Sequence, residues 1–159
     1  TLEERKRMTS EMKRKIEASL RELDAKGKRG DAARAFFAEV RSPYALGPLV
    51  ELILDKTSSL DVKLFLIDVL LQLESKAIPS SMIKIMMKVP DREIQSLCSN
   101  YLIENPSEAI VQELQTYLVN SNPMQDRPET INRAAAVLAV IGDQRCIPRL
   151  IDVLVTTHE

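Results

Sequence analysis

The sequence predicts an all-α fold, a solenoid of about four helix pairs preceded by one longer helix. Three observations predict it. The apolar set is rich in Leu, Ile, Ala and Met, while aromatic residues are 4%, Trp is absent and Gly numbers four. Sheets prefer β-branched and aromatic residues and Gly-rich turns, so this balance favours helices. Gly and Pro fall at intervals, and the stretches between them carry apolar residues at steps of three and four, with no sustained period-two alternation. Finally, the starts of alternate helices resemble one another with a period in the thirties.

Residues 2–24 read as one long helix with Met8, Met12, Ile16 and Leu20 at steps of four. Gly27 and Gly30 are expected to end it, and a basic hinge of Lys26, Lys28 and Arg29 leads to Asp31 as the next N-cap. A helix over about 32–41 then buries Ala33, Phe36, Phe37 and Val40, and Pro43 breaks it. The next, over about 47–56, turns Leu49, Leu52 and Ile53 inward. Ser58 with Asp61 three residues on resembles a capping box for a helix over 60–74. Helices over 78–89 and 92–104 follow, separated by Pro90. Asn105-Pro106-Ser107-Glu108 reads as a cap, a Pro at the first position and an acid at the third, opening a helix to Val119. After a loop over 120–127, Asp126 is expected to cap a helix that closes at Gly142, and a last helix runs from beyond Asp143 to about Val155.

Aligned on Pro48, Pro79 and Pro148, three segments share a proline near the helix start followed by an apolar stripe, and Glu108-Ala109-Ile110-Val111 fits the same register. The spacings are 31, 32 and 37 residues, the longest containing the 120–127 loop. One helix pair cannot bury its apolar face alone, so neighbours must stack. Residues 128–154, with Arg133-Ala134-Ala135, Ile141-Gly142-Asp143 and Ile147-Pro148-Arg149-Leu150-Ile151, resemble a HEAT repeat of the short bacterial subtype called phycobilisome-lyase-like. The resemblance is specific there and architectural over 30–127. It implies a right-handed α-α superhelix, armadillo-like in its helical stacking, with second helices lining a concave face that binds. Two regions are expected on this basis: a basic amphipathic helix with its hinge over 1–29, acting as cap or partner helix, and HEAT-like repeats over 30–159.

Charge narrows the partners. The net charge of −1 gives no general attraction to polyanions, although residues 1–30 hold ten Lys/Arg against six Asp/Glu. Glu3, Glu4, Glu11, Glu17, Glu22 and Asp24 interleave with that basic excess, and the narrow stripe of Met8, Met12, Ile16, Leu20 and Leu23 suits packing better than nucleic-acid contact. Ile83, Ile85, Met86, Met87 and Val89 read first as core, with a partner groove as the alternative, since methionine adapts to varied surfaces. Cys98 and Cys146 form no CxxC and read as small buried hydrophobes in a reducing, cytoplasmic setting. No apolar run approaches the length of a membrane span. A chain opening on Thr1 is expected to be a piece of a longer one.

Catalytic chemistry finds few residues. The sole His158 removes His-based triads and multi-His metal sites, and no GxGxxG, GxxxxGK[ST] or DxDxDG motif occurs. The expectation is therefore a non-enzymatic scaffold or regulatory segment without cofactor, binding a protein or peptide on its concave face. Polar positions of the second helices form the expected strip: Glu51, Asp55, Lys84, Lys88, Gln112, Gln115, Arg149 and Asp152. Their mixed charge points to a protein ligand. The alternatives are nucleic-acid or anionic-surface binding through the basic first helix, and a HEAT-based enzyme. Self-association through the C-terminal repeat end is a further expectation.

Overall fold

The computed structural model describes residues 1–122, 124 and 127–142. Those residues form α1 (Leu2–Glu22), α2 (Lys28–Glu39), a 3-10 turn (Pro43–Ala45), α3 (Leu46–Leu54) and α4 (Leu60–Leu71). They continue with α5 (Ile78–Lys88), α6 (Arg92–Glu104), α7 (Glu108–Val119) and α8 (Pro128–Ile141). No strand occurs among the described residues. The last expected helix lies outside them. Contacts divide the chain into two compact units, Thr1–Ile78 and Pro79–Glu159.

In the first unit, α1 opens with a capping box in which Thr1 and Glu4 exchange side-chain and backbone bonds. It packs on α2, the 3-10 turn and α3, so the helix expected as a cap belongs to this unit. Its apolar stripe is covered unevenly: Ile16 is fully buried, whereas Met8 is 43% exposed. The turn after α1 departs from expectation. Gly27, at φ +80°, is itself the N-cap of α2, and Lys28 and Arg29 lie inside that helix rather than in a hinge. Gly30 is buried where a Cβ would stand 1.7 Å from the Ala25 carbonyl oxygen. Asp31 does not cap α2. It holds Arg34 at 2.6 Å, and Arg34 donates to the Leu23 carbonyl at the end of α1. The chain doubles back so tightly that a first-turn acid serves the preceding helix end instead of its own.

Farther on, Gln72 at the end of α4 donates to the Phe37 and Val40 carbonyls at the end of α2, the latter at 3.0 Å. Phe37 meets Phe65 edge to face at 5.1 Å, locking α2 to α4. The cap of α4 is Ser59, which accepts from the Val62 amide, and not Ser58, whose hydroxyl donates to the Leu52 carbonyl. Ala45, Leu49, Ile53, Leu66, Ile67 and Leu70 are fully buried.

In the second unit, Met82, Ile83, Ile85 and Met86 of α5 are fully buried and Val89 nearly so, which makes this stripe core; Met87 is half-buried. Pro90 ends α5 and leaves a debt, because proline has no N–H to give to the carbonyl four residues back. That carbonyl belongs to Met86, and Arg133 of α8 donates to it at 2.7 Å. The Val89 carbonyl accepts from Gln95 of α6 at 3.0 Å. The end of α5 is thus satisfied by two later helices. Helices α6 and α7 both pack on α8.

The boundary between α6 and α7 also differs from expectation. Asn105 ends α6, donating from its side chain to the Tyr101 carbonyl, while Ser107 caps α7 by accepting from the Ile110 amide. Serine in the extended conformation already presents its oxygen to the first turn, which leaves Pro106 ahead of the cap and not in the helix. At α8, the expected cap Asp126 lies outside the described residues; Arg127 occupies the N-cap without a side-chain bond and Pro128 the first position. Gly142 closes α8 in the left-handed region, at φ +69°.

Candidate functional site

Glu51 is exposed on α3, and its carboxylate lies 3.2 Å from the Lys13 ammonium of α1. Asp55, the C-cap of α3, accepts from the Thr57 amide at 2.8 Å and from its hydroxyl at 2.7 Å. Those bonds, aided by the nearby Lys63 charge, hold its carboxyl below the usual value. Both residues are engaged in local structure. In the second unit, Lys84, Lys88 and Gln112 are exposed and Gln115 is half-buried. Arg149 and Asp152 lie outside the described residues. Of the strip's described residues, Lys88 lines two adjoining cavities of the second unit.

The first cavity, of about 460 Å³, lies where the end of α5 meets the second half of α7 and the first turn of α8. Its apolar wall consists of Met87, Tyr117, Leu118 and Ile131, and its rim includes Thr116 and Thr130. The helical spacing of α7 explains the wall: Leu114 and Leu118 face the core, which leaves Tyr117 at the edge, 37% exposed. Partial burial, and then the Glu113 charge, push the Tyr117 phenol above its ordinary value, so it stays a neutral donor at physiological pH. Glu113, which also lines the cavity, accepts from the Ser80 hydroxyl at 2.8 Å, an exposed bond that ties α5 to α7.

A second cavity of about 280 Å³ shares Met87, Lys88 and Thr130 with the first, and its lining is polar. Here Lys88, Arg92, Arg127 and Arg133 surround a single described carboxylate, Glu129. Arg92 is the first residue of α6 and Arg127 the N-cap of α8, so two helix N-termini with their positive dipole ends converge on it. Arg133 is committed to the Met86 carbonyl; desolvation draws its pKa down and Glu129 opposes that effect. Lys88, Arg92 and Arg127 make no ion pair with a described carboxylate. The two cavities form one groove with an apolar half and a cationic half.

Sequence reasoning picked out Lys88 and missed Arg92, Arg127, Arg133 and Tyr117 as site residues. Two signals were present. Pro90 four residues after Met86 leaves an orphaned carbonyl that calls for an outside donor. Arg127 before Pro128 puts a cation where Ser, Thr, Asp or Asn is preferred.

Elsewhere, Cys98 is fully buried, and burial pushes its thiol up to about 12, so it is a neutral packing group and no nucleophile. Among the described residues no group of three or more His, Cys, Asp or Glu side chains is placed to hold a metal ion, and no helix is long and apolar enough to cross a membrane. Comparison with family models, curated proteins and solved structures finds no match to this chain.

Proposed function

We propose that the chain is a non-enzymatic protein-interaction module, a HEAT-like right-handed solenoid segment that seats a protein or peptide segment in the groove of its second unit. The observation that carries this reading is the pairing of an apolar wall, the partly exposed Met87 and Tyr117 backed by the buried Leu118 and Ile131, with a polar rim. An apolar slot of this kind, with a few polar groups placed around it, is how extended or helical segments are held. The solenoid part rests on helices that pack on their successors and on the helix after that, as α3 on α4, α6 on α8 and α7 on α8. In that arrangement α5 and α7 are second helices, and the groove opens at their ends.

A peptide-display selection against the full chain tests the reading. Enriched peptides should carry an aliphatic or aromatic anchor and lose at least tenfold in affinity against Met87→Glu or Tyr117→Ala. Enrichment that ignores both substitutions and disappears when residues 1–29 are deleted would replace this reading with binding through the basic first helix.

A further inference from the structure

The cationic half of the groove has a more specific use. We infer that Lys88, Arg92 and Arg127 form an oxyanion pocket that takes a carboxylate or phosphate of an acidic partner peptide whose apolar anchor lies in the adjoining slot. Its placement in a peptide site rests on the function proposed above; its chemistry rests on its own residues.

Three observations lead there. Four cationic side chains line a cavity of about 280 Å³ against one described carboxylate. That carboxylate, Glu129, acts on Arg133, whose guanidinium is also bonded to the Met86 carbonyl, so the local negative charge is directed at the one cation already engaged. The other three cations make no ion pair with a described carboxylate, and Arg92 and Arg127 are exposed at helix N-termini. Like charges brought close together repel, and an oxyanion placed among them relieves the repulsion and meets two helix dipole ends. Arginine forks suit carboxylate and phosphate equally. The cavity adjoins the apolar slot through Met87, Lys88 and Thr130, so one ligand reaching both halves must be anionic at one end and apolar at the other. This matches an acidic peptide better than a nucleic acid, because the slot displays a single aromatic ring and no stacking platform.

The test is an amide chemical-shift titration of the whole chain with inorganic phosphate and, separately, glutarate, both at constant ionic strength. Saturable shifts are expected at Arg92, Glu129, Thr130 and Arg133. The affinity should fall at least fivefold in Arg92→Gln/Arg127→Gln and stay unchanged in Lys26→Gln/Lys28→Gln. The ligand that saturates first tells phosphate from carboxylate. Shifts spread over the basic residues of α1, or no saturation by either ligand, would overturn the pocket. A single-stranded oligonucleotide that displaces bound phosphate where a Glu-rich peptide fails would overturn the choice of partner. Saturation by oxyanions with no selected peptide binding the slot would sink the proposed function and leave the pocket standing. Peptide binding that depends on Met87 without any oxyanion response would do the reverse.

Discussion

Replacing Arg133 with methionine removes the donor on which the Met86 carbonyl depends, and the size of the effect follows from the geometry. The bond is 2.7 Å long, part-buried and charge-assisted, a class that contributes about 1.5–3 kcal/mol. Methionine recovers some of this, since the half-buried guanidinium already carries a desolvation cost. A net loss of about 1–2 kcal/mol is expected in the second unit, equivalent to a fall of roughly 3–6 °C in Tm for a chain of this size. The reasoning is sharpest in a double-mutant cycle with Pro90→Ala. Alanine restores an N–H at the position from which a helix serves the Met86 carbonyl, so Pro90→Ala should cost less, or even stabilise, in the Arg133→Met background. Urea unfolding followed by circular dichroism, with amide exchange at α5 and α8, measures the coupling, expected near 1 kcal/mol. Additivity within about 0.3 kcal/mol would refute the claim that Arg133 answers the orphaned carbonyl.

Other perturbations test the remaining contacts. Gly30→Ala should destabilise by about 2–4 kcal/mol, because its Cβ would meet the Ala25 carbonyl. Gly142→Ala should cost about 1 kcal/mol for its left-handed backbone, and Gly47→Ala, with open space around it, should be neutral or mildly stabilising; thermal melts of the three rank them. With Cys146 replaced by Ala, the Cys98 thiol should resist thiol reagents at pH 8 until the chain is unfolded. Because its pKa is raised to about 12 in the folded chain, the neutral thiol's contribution is complete below the unfolded value near 9. It is lost as pH rises toward 12, at up to about 1.4 kcal/mol per pH unit; Cys98→Ala should flatten that alkaline decline. Breaking the exposed Lys13–Glu51 pair with Glu51→Gln should change stability by less than about 1 kcal/mol.

The helices were legible because apolar spacing and the Gly and Pro positions are local signals, and Gly142 shows this best: its place after a periodic run specified the left-handed cap that α8 adopts. Caps with two neighbouring candidates were less legible. Ser58 against Ser59, and Asn105 against Ser107, differ in which side-chain oxygen is placed to accept from the first turn: Ser58 and Asn105 instead donate to carbonyls of the preceding helix. Asp31 was misread because its partner, Arg34, is pinned by the end of the previous helix. The strip was chosen from helical register alone, which cannot tell that Glu51 lies against Lys13 or that Asp55 closes a turn on Thr57. The groove depends on the end of α5 meeting α6, α7 and α8, a long-range arrangement at which the sequence hints through the orphaned Met86 carbonyl and the cation at Arg127.

The measurement that bears most directly on the proposed function is an amide chemical-shift map of the intact chain with a peptide taken from the display selection. The account predicts that the shifts gather at Met87, Lys88, Thr116, Tyr117 and Thr130, with Arg92 and Arg127 responding when the peptide carries an acid. Shifts gathered instead along residues 5–29, or on the α3 positions Glu51 and Asp55, would contradict it.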